Sequence, residues 1–116
     1  MRPLVFFVAV GLVACSNEGD PGSCYRDRDN ACVEYGRAKA GAGKRLCDGM
    51  RWIPGERSCP TEGRLGACVK KTGSDYVYGG PPNNYSLTAA KNACEWGGGV
   101  FLAGSAATPP PAASSR

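Results

Sequence analysis

The sequence predicts a small disulfide-rich α+β fold built from two repeated strand-helix-strand units with three Cys each, and three observations lead there. The chain has 116 residues, enough for one domain. It carries 7 Cys, 17 Gly and 9 Pro and no His, a composition of short elements, turns and staples rather than of a large apolar core. Its Cys-bearing segments also recur. Ser23-Cys24 aligns with Ser58-Cys59, Ala31-Cys32-Val33 with Ala67-Cys68-Val69, and Lys44-Arg45-Leu46-Cys47-Asp48 with Lys91-Asn92-Ala93-Cys94-Glu95. Each series then passes through Gly49 or Gly97-Gly98-Gly99 to an aromatic residue, Trp52 or Phe101, and that many matches in register mark a repeated unit.

The first element is not part of the fold. Met1-Arg2-Pro3 is followed by an apolar run from Leu4 to Val13. One cation ahead of an apolar stretch much shorter than the roughly 20 residues that span a bilayer is the pattern of a signal peptide, here residues 1–14. The run ends in Leu12-Val13-Ala14-Cys15, which resembles the lipobox of bacterial lipoproteins. The resemblance implies that Cys15 receives a diacylglycerol thioether, that the chain is cut just before it, and that the new amine takes an N-acyl group such as palmitate. It also implies a membrane partner through the lipid anchor and a place in the cell envelope. Ser16 in place of Asp after the Cys points to the outer membrane, the periplasmic face of the inner membrane and the cell surface being the other destinations. The alternative, a secreted protein cut near Ala9 or Ala14, leaves an exposed unpaired thiol, which is a liability outside the cell.

Residues 15–23 contain Gly and Pro and no large apolar side chain, and read as a lipidated tether. Residues 104–116 hold no aromatic residue and one terminal Arg, too little apolar surface to offset ordering, so a disordered tail with a polyproline bend is expected there. Between them residues 24–103 form the disulfide-rich domain, as units 24–58 and 59–103. At roughly 80 residues such a domain depends on cross-links.

The second unit shows its elements best. Residues 67–71 and 76–78 are strand-like around a Thr72-Gly73-Ser74-Asp75 turn, and residues 79–85 form a Gly/Pro/Asn loop. Ser86 is placed to cap a helix over residues 87–96, ended by Gly97, with Leu87, Ala90 and Cys94 on its buried stripe. A strand over residues 99–102 follows. In the first unit the matching stripe is Ala40, Gly43 and Cys47, on a helix weakened by Gly41 and Gly43 at about 1 kcal/mol each. The two units are expected to pack face to face.

Setting Cys15 aside leaves Cys24, Cys32, Cys47, Cys59, Cys68 and Cys94. Spacing alone does not choose their connectivity, but if both units use the same internal bridge the pairs are Cys32 with Cys47, Cys68 with Cys94, and Cys24 with Cys59. With no His and no two Cys separated by two residues, the set does not match a zinc site or a dithiol redox centre, so no metal is expected.

Catalytic signals are missing. Without His the familiar triads and proton shuttles are excluded, no nucleophile has an evident base, and no carboxylate pair has catalytic context, so an enzyme is not expected. GRAKAGAGKR at residues 36–45 imitates a phosphate loop, but Arg45 stands where Ser or Thr is needed. Asp27, Asp29 and Asn30 imitate a calcium loop, but Arg26 and Arg28 are interleaved and Ala31 falls on a ligand position, which reads as a solvated, self-neutralising stretch.

Tyr76, Tyr78, Tyr85 and Trp96 are the candidate binding surface, flanked by Lys70, Lys71 and Lys91. The favoured reading of the same rings is that they cover a small core, as most aromatics in small domains do. From residue 24 to residue 101 the Cys and Gly pattern is similar to small Cys-rich bacterial lipoproteins, a resemblance that brings no function with it. The expected role is a non-enzymatic, membrane-anchored envelope protein presenting a small binding surface to a protein or glycan, with no nucleic-acid partner and no cofactor beyond the lipid on Cys15. Two alternatives are an inhibitor or immunity factor against an envelope hydrolase, using the loop at residues 79–85, and a structural protein that binds cell wall or glycan. The formal charge, +4 for the full chain and +3 once Arg2 leaves with residues 1–14, has the wrong sign for a basic target such as lysozyme.

Overall fold

In the first half of the domain, Gly22–Arg26 (β1) and Ala31–Tyr35 (β2) pair antiparallel with Cys24 opposite Val33. A 3-10 turn at Asp27–Asp29 joins them and closes on Asn30, whose φ of 50° is a left-handed conformation that Asn tolerates. The helix Ala40–Leu46 (α1) follows, and Arg51–Pro54 (β3) returns beside β1 with Trp52 opposite Cys24. The second half repeats this course. Arg64–Lys70 (β4) and Gly73–Tyr78 (β5) pair with Cys68 opposite Asp75, the helix Leu87–Trp96 (α2) follows, and Val100–Ala103 (β6) returns beside β4 with Phe101 opposite Cys68. A computed structural model describes residues 3–4 and 17–109 of the chain, so the expected signal peptide apart from residues 3–4, the lipobox-like segment with Cys15, and residues 110–116 of the expected tail lie outside the described residues.

The expected α+β fold is therefore present, with each unit a strand, strand, helix and strand. The halves meet through β2 and β5, which pair antiparallel and complete one six-stranded sheet in the order β3-β1-β2-β5-β4-β6. This corrects the face-to-face arrangement. A three-stranded unit leaves one edge of its second strand unpaired, and joining the two units edge to edge pairs Ala31 with Val77 and Cys32 with Tyr76. The halves agree in fine detail: Gly55 N–H donates to the Pro21 carbonyl at 2.9 Å as Gly104 N–H does to Leu65 at 2.8 Å. Gly55 and Gly104 have φ of 112° and 111°, and Gly49 and Gly98 have 80° and 84°.

This equivalence sets Cys24 over Cys68 and Cys47 over Cys94. The bridges are Cys24–Cys47, Cys68–Cys94 and Cys32–Cys59, so all six cysteines pair, but only Cys68–Cys94 follows the pairing expected from the sequence. The reason is the two-residue period of a strand. Cys24 shares the sheet face of its cross-strand neighbour Val33, so Cys32, one residue earlier, points to the other face. Both helices lie on the Cys24 face, so Cys32 cannot reach α1 and instead holds the connection between the halves through Cys59. That third bridge has no counterpart in the second unit.

On the helix face the helices present small side chains to the sheet, Ala40, Gly43 and Cys47 from α1 and Ala90 and Cys94 from α2, and the Tyr35 ring of β2 packs against Gly43. Ser86 caps α2 as expected, its Oγ accepting from Ala89 N–H at 3.1 Å, while Leu87 is half exposed rather than buried. On the opposite face, Cys32, Cys59, Ala67, Tyr76 and Tyr78 form the core, with Tyr25 and Ala107 against it.

The ordered domain also runs past both expected ends. Gly22 and Ser23 belong to β1, and the Asn17 carbonyl accepts from Gly41 N–H at 2.9 Å at the start of α1. Beyond β6, Arg64 reaches the Ser105 carbonyl at 3.4 Å and Ala107 packs on the tyrosine core.

Candidate functional site

The four aromatic residues singled out in the sequence do not form one surface. Tyr76 and Tyr78 do share a strand face, as their spacing predicts, but the segment carrying Cys59 covers that face and leaves them 6% and 2% exposed. Tyr78 donates its hydroxyl to the Pro60 carbonyl at 2.6 Å, and the Tyr25 ring lies 5.2 Å away, centroid to centroid. The Arg64 guanidinium stacks 3.7 Å from the Tyr76 centroid and donates to the Cys59 carbonyl at 3.0 Å, clamping the covering segment onto the rings. Burial raises the phenol pKa of Tyr25, Tyr76 and Tyr78 above the usual tyrosine value. Desolvation is the largest cause in each; Asp27 adds to it at Tyr25, and Glu34 adds by charge and hydrogen bond at Tyr76. At Tyr78 a hydrogen bond and charge from Arg64 work against it. Tyr76 and Tyr78 thus lie in the core cluster, where the sequence left both a binding surface and core cover open.

Tyr85 and Trp96 lie on the other side of the sheet. There α1 packs over β1, with its Gly43 against Tyr35 of β2, and α2 packs over β4 and β6, and between the two helices the sheet is open around Ala31 of β2 and Val77 of β5. The opening is a cleft of about 270 Å³ with Ala31 and Val77 on its floor, Ala90, Ala93 and the Cys68–Cys94 bridge on the α2 side, and Tyr85 at its margin. Trp96, 94% exposed, stands one turn beyond Ala93.

Charge enters the cleft from strands of both halves. Arg26 on β1 and Asp75 on β5 flank the small Ala31, and the Arg26 guanidinium reaches Asp75 at 3.3 Å and Asp29 at 3.6 Å. Lys70 completes the lining. The Arg26 and Asp75 side chains are 32% and 27% exposed, so their pair is worth on the order of 1 kcal/mol and does more to fix position than to stabilise. The cleft thus offers cationic donors, carboxylate acceptors and a phenol ring around an apolar floor, a set suited to a polar ligand bearing both donors and acceptors. Among the described residues no three His, Cys, Asp or Glu side chains gather as a metal site.

Of the cleft residues the sequence singled out Tyr85 and Lys70. Asp29 and Arg26 were legible only as a self-neutralising stretch, which their ion pair matches, and Asp75 only as a turn residue. No local signal joins Arg26 to Asp75, because only the β2–β5 junction brings them together.

No family model, no curated protein and no solved structure matches this chain.

Proposed function

We propose that the chain is a lipid-anchored, non-enzymatic envelope protein whose disulfide-stapled domain is a binding module, with the helix-face cleft as its surface for a glycan of the envelope. The observation that carries this reading is the division of the cysteines. Three bridges use six of the seven, and the seventh is Cys15, at the end of the apolar run and in the lipobox position. Bridges of this kind form in oxidising compartments, and an unpaired Cys behind an export signal is suited to lipid. For the ligand, Arg26, Lys70 and the Tyr85 hydroxyl can donate, Asp29 and Asp75 can accept, and the Tyr85 ring can lie against a sugar face.

Metabolic labelling with a palmitate analogue tests the anchor: label and membrane association are expected in the parent chain and lost in Cys15→Ala. Retention of both in the variant overturns it. Titration of the protein with soluble cell-wall glycan fragments tests the cleft, with at least a tenfold loss of affinity expected for Tyr85→Ala and for Asp75→Asn. Glycan binding that neither substitution weakens removes the cleft from the reading.

The loop between β5 and α2 favours a second reading, an inhibitor of an envelope hydrolase. Residues 80–84 are exposed yet held at both ends, by Asn30 Nδ2 on the Gly80 carbonyl at 2.8 Å and by Asn83 Nδ2 on the Arg28 carbonyl at 2.7 Å. A loop already held in shape loses little entropy on entering a partner's cleft. Stoichiometric capture of one hydrolase, lost when the loop is shortened, would select this reading over the glycan.

A further inference from the structure

We propose that two copies of this chain join through their β6 strands, Phe101 of one opposite Phe101 of the other, with the α2 helices side by side across the junction.

The two halves end in equivalent edge strands that are treated differently. Gly22 faces Pro54 as Gly66 faces Ala103, so β3 carries Arg51 and Pro54 where β6 carries Val100 and Ala103. Charge and Pro on an edge are what keep another strand from adding to it. The β3 edge has both; β6, reading Val-Phe-Leu-Ala, has neither, and Val100 is 64% exposed. Among the described residues β6 pairs with β4 alone. Gly104 N–H is turned inward to Leu65, so by alternation the amides of Ala103 and Phe101 are turned outward, as the ring nitrogen of Pro54 is on the other edge.

The identity of the occupant follows from α2. Ala90 and Cys94 face the sheet and Ala93 the cleft, so the helical period puts Lys91 and Glu95 on the opposite flank, above the β6 edge. They form an (i, i+4) pair at 4.0 Å. The bridge to Cys68, which lies opposite Phe101, sets Cys94 level with Phe101 along the strand. A two-fold axis through Phe101 therefore runs α2 antiparallel to its copy about a point near Cys94, and each Lys91 meets the other copy's Glu95. The flank is charge-complementary to itself. Strand spacing agrees: helices lying over the β4–β6 gap on either side of such a junction have axes about 10 Å apart, the ordinary distance for packed helices. The same register sets Val100 against Leu102 of the second copy.

The full chain with Lys91 replaced by photo-reactive p-benzoylphenylalanine, irradiated in intact cells, tests this. The expected product has twice the chain mass, with its cross-link mapped by mass spectrometry to α2 or β6 of a second copy. Installing in β6 the residues that β3 carries, V100R with A103P, is expected to abolish the product. Both are tolerated at the equivalent positions of β3, and the three disulfides, read by mass before and after reduction, show that this variant has folded. No product of doubled mass, a product with a different protein, or a doubled product that survives V100R and A103P overturns the proposal.

Discussion

Asn30 donates its side-chain amide to the Gly80 carbonyl at 2.8 Å and to the Tyr78 carbonyl at 3.3 Å, so the hairpin tip of the first half holds the end of β5 in the second. The Asn30 carbonyl in turn accepts from Tyr78 N–H at 2.9 Å, and the residue is 1% exposed. Asn30→Ala removes both side-chain bonds and places a Cβ residue with no local bonding in a left-handed conformation; a loss of about 2 to 4 kcal/mol in reversible urea unfolding is expected. Asn30→Gly keeps the backbone but not the bonds, and should lose less. Equal losses would show that the bonds across the halves, not the conformation, dominate.

Gly22 lies under the Trp52 ring, and Gly66 lies in the same way under Phe101 and the Leu102 carbonyl. A Cβ at Gly66 has no room between ring and backbone, so Gly66→Ala should cost about 2 kcal/mol or more by overpacking. Gly36, with nothing within 4 Å of its added Cβ, is the control and should change by less than about 0.5 kcal/mol in Gly36→Ala. Thermal melts of the two variants at one protein concentration check this.

Non-reducing peptide maps should return Cys24 with Cys47, Cys32 with Cys59 and Cys68 with Cys94, closing sequence separations of 23, 27 and 26 residues. Loops of this size imply about 3 to 4 kcal/mol per bridge in the chain-entropy picture. Replacing both members of one pair by Ala should therefore lower stability by that order in each case. Only the Cys32 and Cys59 double variant should also expose Tyr76 and Tyr78, seen as faster iodination of those rings.

Two of these pairings were hidden in the sequence for an identifiable reason. The tripeptides around Cys32 and Cys68 both read Ala-Cys-Val and draw the alignment to themselves, although Cys32 lies on a second strand and Cys68 on a first. The informative match is Gly22-Ser23-Cys24 with Gly66-Ala67-Cys68, because the glycine two residues before each Cys makes room for the aromatic ring of the returning strand. By contrast α2 was legible from end to end, since its cap Ser86 and its stop Gly97 act locally. The cleft was not legible, because it exists only where two halves meet.

Alkaline pH should unfold the domain through its buried phenols. Tyr76 and Tyr78 keep their protons in the fold to a higher pH than in the unfolded chain, where the value is near 10.0. Their contribution is complete below that value and is lost as pH rises through the raised folded value, since the unfolded chain releases the protons first. In that window each such phenol lowers stability by about 1.4 kcal/mol per pH unit. Tyr78→Phe should flatten this decline while costing about 1 kcal/mol at neutral pH through the lost bond to Pro60. Urea unfolding across the alkaline range, compared between parent and variant, measures both.

The hydrogen bond from Gly41 to Asn17 sets how the domain sits on its leash. On the lipid-anchor proposal, Cys15 is only two residues ahead of that contact, a reach of about 7 Å, where a free tether up to Cys24 would allow about 30 Å. The start of α1 would then be held against the headgroups, and the module would be a low, oriented plate rather than a body swinging at a distance. The half that carries β6 is the one farther along the sheet from that foothold, leaving its edge to meet neighbours diffusing in the same leaflet.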